Sequence, residues 1–505
     1  MTGARRTLSG AAASGAKVSM IAQLVRVLIQ AASVVILSRI LGASDFGLLA
    51  MAVAIVGVGE LFRDFGLTQA AVQAPTLSTQ QRTNLFWLNG GIGITLALVT
   101  FAASWPIAFF YGDDRLITIT QALALTFVAN GLSTQYRASL MRQLRFGWLS
   151  VSEIVAQISG LAVAIVMATA TGSYWALVLQ QVVAATVSLL LLIWVGRWLP
   201  GRFRRGHGMK QFLSFGGYLV AAQMITYASR NVDSIIIGAR LGPTDLGFYN
   251  RAFQLLLVPL NQINAPATRV ALPVLSKLQD ERERFDRYVL AAQSILLQPV
   301  VAGFALAAAI APFAIPLLLG PGWEESVPLF QILAIGGCFQ AAGSATYWVF
   351  LARGATKSQL LWAVTVRPIV IVAVLLGSVW GVTGVAIGFT IGTAIVWPIG
   401  LWWITRHLGA PGWAMLANGL RPFGVYGVAA SAASAASLMI AGPWGTLLSP
   451  IAFLAVTGAA LLSWPAFRGD LGALRHLLRG SRTKRRRADD SPTGGVPPTD
   501  ETYDD

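Results

Sequence analysis

The sequence predicts an all-α polytopic membrane protein with about fourteen transmembrane helices in two pseudo-repeated lobes around a central cavity. Four observations carry this expectation. Hydrophobic residues make up 55% of the chain and charged residues 11%, whereas soluble proteins carry about 25% charged residues. Apolar stretches of about 20 residues, enough to cross a bilayer core as helix, recur along the whole chain. The short alternating strands of a membrane barrel are missing. Finally, the chain repeats itself. Leu41-Gly42-Ala43-Ser44-Asp45-Phe46-Gly47 returns as Leu241-Gly242-Pro243-Thr244-Asp245-Leu246-Gly247, each copy following a long apolar run. Ala22 and Gln23 match Ala222 and Gln223 in the same ungapped register. A constant offset across a helix and its turn marks two homologous halves.

Taken in order, the predicted spans lie near 18–41, 46–70, 84–109, 115–135, 148–170, 173–196, 211–239, 245–268, 289–319, 327–351, 358–378, 381–405, 413–441 and 445–465. Very short turns at Gly42 to Asp45, Thr171 to Ser173, Gly242 to Asp245 and Ser378 to Gly381 make their flanking helices antiparallel neighbours. Basic residues gather on alternate connections: Arg137, Arg142 and Arg145; Arg197, Arg202, Arg204, Arg205 and Lys210; Arg353 and Lys357; Arg406 and His407; and Lys484 to Arg487. The opposite connections carry Asp45, Asp113, Asp114, Glu324 and Glu325. By the positive-inside rule both termini are expected in the cytoplasm. The domain reading is a cytoplasmic segment at 1–17, an N-lobe at 18–196, a basic linker at 197–210, a C-lobe at 211–405, two further helices at 406–467 and a cytoplasmic tail at 468–505.

The net charge of +16 is explained by these basic connections, so nucleic acid is not an expected partner. The basic N-terminus has no short apolar core with a cleavage site, so no removable signal peptide is expected. Cys338, the single cysteine, cannot form an internal disulfide and should pack as a small hydrophobe. The segment from Arg269 to Tyr288 sets Val270, Leu272, Val274, Leu275 and Leu278 before a mixed-charge run. It reads either as an amphipathic helix on the membrane surface or as a solvated loop. Residues 491–505, rich in Pro, Gly, Thr and Asp, are expected to be disordered.

Ionisable groups inside spans are costly and therefore mark candidate functional sites. Gln23, Arg26, Gln30 and Ser33 fall on one helical face of the first span. The equivalent face of the seventh carries Gln223, Tyr227, Arg230 and Ser234, with Asp233 beside it. The eighth has Asn250, Gln254, Asn261, Asn264 and Thr268, with Arg251 at one end and Pro259 as a potential kink. Such stripes need a water-filled cavity, expected between the two halves. Arg26, Arg230 and Arg251 would make it cationic and suited to an anion, because the arginine fork matches phosphate oxygens. Gln23, Gln30, Gln223 and Arg367 complete the candidate binding set.

Several of these charges have a structural alternative. Glu60, Arg63 and Asp64 read as a self-neutralising cluster or as a coupling site. Arg230 and Asp233 can neutralise one another or couple transport to an ion. Arg26 has no evident partner on its own helix, while Arg367, alone before Pro368, could pair with a carboxylate elsewhere. Arg39 and Arg240 are expected to snorkel from span ends. Asp45 and Asp245 are expected to cap the helices that follow them.

No phosphate-loop signature, metal-ligand cluster or nucleophile elbow stands in a plausible context. The chain is therefore read as a non-enzyme without a catalytic residue, metal or cofactor. Asp113-Asp114 reads as a turn between spans rather than as a glycosyltransferase motif. Transport would draw on an ion gradient, a membrane potential or downhill movement of substrate.

Leu37-Ser-Arg-Ile-Leu-Gly42-Ala-Ser-Asp-Phe-Gly47 with Phe65-Gly66-Leu67 resembles the opening of bacterial polysaccharide exporters. The stronger resemblance runs through Ser229-Arg-Asn-Val-Asp233, Ile237 to Ala252, Leu257-Val-Pro259, Ala265 to Pro273 and Leu275 to Asp280. It is similar to the lipopolysaccharide, colanic-acid-type and teichuronic-acid-type exporters of the multidrug/oligosaccharidyl-lipid/polysaccharide superfamily. That resemblance implies a MATE-like fold working by alternating access in the bacterial inner membrane. It implies flipping of an undecaprenyl-diphosphate-linked oligosaccharide from the cytoplasmic to the periplasmic leaflet for surface polysaccharide synthesis. Implied partners are this lipid-linked oligosaccharide, membrane lipids, and a polysaccharide polymerase with its chain-length machinery. The alternatives are a drug or metabolite antiporter of the same superfamily and a periplasmic-side polymerase or ligase.

Overall fold

A computed structural model describes residues 2–64, 77–204, 227, 231–439, 443–465, 467 and 469. Although 211–226 and 228–230 of the seventh span, predicted at 211–239, lie outside the described residues, the predicted spans have helical counterparts there. These are α1 (Thr2–Ser38), α2 (Ala43–Asp64), α3 (Thr79–Tyr111), α4 (Arg115–Arg142), α5 (Phe146–Thr171), α6 (Trp175–Gly196), residues 231–241, α7 (Pro243–Lys277), α8 (Arg282–Leu319), α9 (Ser326–Ala352), α10 (Thr356–Gly377), α11 (Gly381–Leu408), α12 (Gly412–Met439) and α13 (Pro443–Ser463). No strand occurs among the described residues. Nine stretches of them are long and apolar enough to cross a membrane. One of the nine, Thr356–Leu408, is itself the hairpin α10–α11. Hydrocarbon offers no partner for backbone polar groups, so helices are the form in which these apolar stretches satisfy them.

The ends of the helices follow local chemistry. Ser78 and Gln81 form a capping box at the start of α3, and Gly112 ends that helix in the left-handed region at φ 69°. The Gly42 amide donates to Asp45 Oδ2 at 3.1 Å, so Asp45 closes the first turn of α2 as expected. Asp245 occupies the first turn of α7, where a carboxylate complements the helix dipole.

The segment from Arg269 to Tyr288 is neither a separate surface helix nor a loop. α7 continues unbroken through Pro259 to Lys277, and α8 begins at Arg282. Leu275 and Phe285 are fully buried whereas Val270 is exposed, so this stretch packs one side against protein and extends the long helices.

The described chain divides into two compact units. The first comprises Met1–Pro259, Ile310–Gln340 and Leu360–Trp397; the second comprises Leu260–Ala309, Ala341–Gln359 and Pro398–Asp505. Within the first unit, glycines bring helices together. A Cβ on Gly93 of α3 would stand 2.6 Å from the Phe127 carbonyl oxygen, and one on Gly131 of α4 would stand 2.8 Å from that of Asn89. Gly384, Gly388 and Gly392 form a stripe of α11 against Gly377, Ala373 and Val370 of α10. Small residues give membrane helices this close approach, since lipid supplies no hydrophobic drive between them.

The two repeated turns meet in the same unit. Gly47 of α2 lies directly against the Pro243 carbonyl at the start of α7, and Gly247 of α7 lies against the Ala43 carbonyl at the start of α2. Trp323 seals the crossing. Its ring packs on Phe46 and Phe248 at 5.6 and 5.8 Å, and its Nε1 donates to the Ser38 carbonyl at 2.8 Å. Arg39, expected to snorkel, instead donates to the Leu317 and Leu318 carbonyls at the end of α8. Arg240 donates to Ser378 Oγ at 2.9 Å.

The second unit holds a buried polar network. Asn418 of α12 donates to the Leu290 carbonyl and to Gln293 Oε1, both at 3.1 Å, and accepts from Ser294 Oγ. Tyr426 donates to Gln298 Oε1 at 2.9 Å. These bonds tie α12 to α8.

Candidate functional site

α1, α5, α6 and α7 bring their polar faces to one cavity of about 530 Å³ in the first unit. Gln23, Arg26, Gln30 and Ser33 of α1 line it, as their spacing predicts, with Gln180 and Gln181 of α6 and Arg251 and Gln254 of α7. Residues from both repeated halves thus share one cavity. Gln180 donates to Ser33 Oγ at 2.9 Å. A second cavity of about 460 Å³ adjoins it through Gln157, Gln181 and Ala184, and is lined also by Glu60, Asn130, Arg137, Glu153 and Ser188. Both volumes fall in the range of ligand pockets.

Arg251 is the most deeply placed cation of the pair of cavities, at 8% exposure. Its Nη1 donates to Gln254 Oε1 at 2.9 Å, and Gln254 in turn donates to Asn250 Oδ1 at 2.9 Å. The guanidinium carbon stands 3.7 Å over the Phe46 ring. Its Nε is buried without a hydrogen-bond partner, and no carboxylate among the described residues pairs with it. This guanidinium thus rests on an aromatic face and a neutral amide, with no carboxylate among the described residues to offset it.

Arg26 differs from its expectation. It has a partner on its own helix, donating Nη2 to Gln23 Oε1 at 2.6 Å, and a carboxylate partner on α5, because Nη1 pairs with Glu153. Glu153 also accepts from Arg137 Nη1 of α4 at 3.1 Å. Arg137 therefore belongs to the cavity, although its place near a predicted span end grouped it with the basic connection. Glu153 escaped the sequence reading altogether. The available signal was its position as an acid inside the span at 148–170.

Glu60 lines the second cavity and accepts a long bond from Asn130 at 3.4 Å. The Arg63 and Asp64 side chains, Gln223 and Arg230 lie outside the described residues. Asp233 is buried and accepts from the Tyr249 hydroxyl at 2.7 Å and the Ser234 amide at 2.9 Å, so a neutral hydroxyl and a backbone group satisfy it. Arg367 lies half-buried in α10 and lines neither cavity. The polar stripe of α7 divides. Asn250 and Gln254 serve the first unit, whereas Thr268, in the second, accepts from Trp348 Nε1 at 2.8 Å. Cys338 is buried, as its apolar setting predicts.

The sequence profile of the family described as "Polysaccharide biosynthesis protein" matches residues 36–328. The chain is 28% identical over 386 residues to the lipopolysaccharide biosynthesis protein WzxC of Escherichia coli (strain K12), covering 74% of this chain and 77% of the relative. It is 29% identical over 312 residues to the teichuronic acid biosynthesis protein TuaB of Bacillus subtilis (strain 168), covering 60% and 63%. Among solved structures, the lipid II flippase MurJ in an inward closed conformation aligns with a TM-score of 0.69 at 13% identity, over 88% of this chain and 98% of that one. An inward-facing multidrug resistance MATE family transporter of the MOP superfamily aligns with a TM-score of 0.57 at 14% identity, over 78% and 95%. At these identities the structural likeness concerns the fold alone.

Proposed function

The chain belongs to the polysaccharide biosynthesis protein family, and from that membership and its cationic cavity we propose that it is a flippase for lipid-linked oligosaccharide repeat units. The substrate is an oligosaccharide on undecaprenyl diphosphate, carried from the cytoplasmic to the periplasmic leaflet of the bacterial inner membrane by alternating access. Both termini are cytoplasmic, and the lobes at 18–196 and 211–405 move against one another. The protein translocates without making or breaking a substrate bond. A polymerase and its chain-length machinery act on the repeat unit after delivery.

The observation that carries the reading is Arg251, buried without a carboxylate partner among the described residues, in the cavity that also holds Arg26. Burying a charge is expensive unless a partner compensates it. A diphosphate entering this cavity supplies that partner, with Arg26 and the amides of Gln23, Gln30 and Gln254 as further donors. Arg230 and Gln223 extend the same set in this proposal, and Asp233, with Glu60, Arg63 and Asp64, tunes the arginines or couples transport to protons or sodium. A drug or metabolite antiporter selecting cationic compounds fits a buried arginine poorly.

The test is complementation of a deletion strain. Arg251→Met is expected to lower surface polysaccharide at least about tenfold at unchanged protein abundance, in line with the roughly 2–5 kcal/mol lost when one partner of a buried charge pair is truncated and the other is left unpaired. Full export by that variant would overturn the assignment.

A further inference from the structure

The arginines of the two cavities are not equivalent among the described residues. Arg251 has no carboxylate partner there, whereas Arg26 and Arg137 share one. Glu153 offers Oε2 to Arg26 and Oε1 to Arg137, from helices α5, α1 and α4 respectively. The side chains of Arg26, Arg137 and Glu153 remain 23%, 34% and 24% exposed, so the triad faces the cavities and an entering molecule can reach it. Arg26 opens on the larger cavity with Arg251, and Arg137 on the smaller one with Glu60.

We propose that Glu153 is a built-in competitor for the substrate's diphosphate, holding Arg26 while the cavity is empty and yielding it when the anion binds. The inference rests on the flippase reading above. Its basis is electrostatic. Clustered arginines repel one another in a low-dielectric cavity, and a carboxylate between two of them relieves that repulsion. A diphosphate bridging Arg26 and Arg251 meets Glu153 as a like charge, which weakens binding. Glu153 keeps Arg137 as its partner during the exchange, so no charge is stranded. When the anion departs, Glu153 returns to Arg26 and favours release. A transporter needs such a term, because a site that binds too tightly does not let go. Arg137 thus acts on the substrate only through Glu153 and is a positioning residue.

The experiment measures binding of farnesyl diphosphate, and of uncharged farnesol as control, to the purified full chain in nanodiscs. Glu153→Gln is expected to bind farnesyl diphosphate about tenfold more tightly than wild type, the effect of removing one nearby like charge. Farnesol affinity is expected to stay unchanged, and turnover of the lipid-linked unit to fall. Glu153→Met, of similar volume, repeats the measurement should the glutamine variant not fold. Glu153→Asp, which retains the charge, is expected to stay within about threefold of wild type, a change under 1 kcal/mol. A folded Glu153→Gln or Glu153→Met that binds farnesyl diphosphate no more tightly than wild type would overturn the competitor role alone. An equal shift in farnesol affinity would do the same, by showing a purely structural effect. Wild type that binds farnesol but not farnesyl diphosphate would instead remove the diphosphate reading beneath it.

Discussion

Gly47 of α2 rests on the backbone of Pro243, and its repeat counterpart Gly247 rests on the backbone of Ala43. The relationship is reciprocal. Each half of the chain contributes a helix start and a glycine, and each glycine receives the other half's helix start. Phe46 stands beside Gly47 and carries Arg251 on its ring, so the crossing adjoins the deepest cation of the cavity.

Any side chain at Gly47 meets a carbonyl oxygen rather than a flexible side chain, so the two helices must part. Gly47→Ala is expected to destabilise the protein by about 1–3 kcal/mol, the usual consequence of overpacking. Gly91→Ala, at a helical glycine of α3 where a Cβ meets nothing within 4 Å, is expected to be neutral or stabilising by up to about 1 kcal/mol. Thermal unfolding of the two variants in the same detergent checks the contrast. Equal midpoints would contradict the crossing.

In the second unit, Asn418 is the hub joining α12 to Leu290, Gln293 and Ser294 of α8. Asn418→Ala leaves buried acceptors and donors unpaired and is expected to lower stability by about 1–3 kcal/mol. Asn231→Ala is a useful comparison, since its side-chain amide donates to the Tyr227 carbonyl, four positions before it, at 3.0 Å. A smaller loss there, measured by denaturant or heat, is the expected pattern.

Outside the membrane-spanning segments, Asp113 follows α3 and pairs with Arg115, whose Nη2 lies 2.7 Å from Oδ2. That hydrogen bond holds the Asp113 carboxyl below the usual carboxylate range, against an opposing contribution from partial burial. The folded state therefore gains stability above the unfolded carboxylate's titration and loses it as pH falls through the depressed folded value. The difference in stability between wild type and Asp113→Asn is expected to reach at most about 1 kcal/mol at neutral pH and to shrink on acidification below the unfolded carboxylate's range, disappearing only once pH has fallen through the depressed folded value. A difference that grew on acidification would contradict the pairing.

Much of this architecture is legible in the sequence because its signals are local or strictly repeated. The helices follow from apolar length, the paired turns from the ungapped register of Gly47 and Gly247, and the cavity face of α1 from the spacing of Gln23, Arg26, Gln30 and Ser33. What stayed hidden depends on separation along the chain. Glu153 lies 127 positions from Arg26, and no periodicity links an acid on α5 to a base on α1. Arg137 was obscured by the positive-inside pattern itself, which assigns any arginine near a span end to a connection. The stretch around Leu275 misled because an apolar run followed directly by mixed charges is a pattern shared by surface helices and by the ends of long buried ones. Trp323, which seals the repeated turns, carried no signal at all in its short connection.

Removing Arg26 leaves Glu153 its second partner, Arg137, so the charge is not stranded. Arg26→Ala is accordingly expected to fold and accumulate normally while losing polysaccharide export. The checks are immunoblot abundance and surface polysaccharide from the same cells. Undiminished export would remove Arg26 from the binding set.

The most direct measurement of the central claim is the leaflet that holds the lipid-linked repeat unit. An impermeant sugar-oxidising probe applied to spheroplasts and to inverted vesicles reads the two faces separately. In a deletion strain the account predicts units confined to the cytoplasmic face, returned to the outer face by wild type and not by Arg251→Met or Arg26→Ala. Units already on the outer face of the deletion strain would contradict flipping and point to polymerisation or ligation instead.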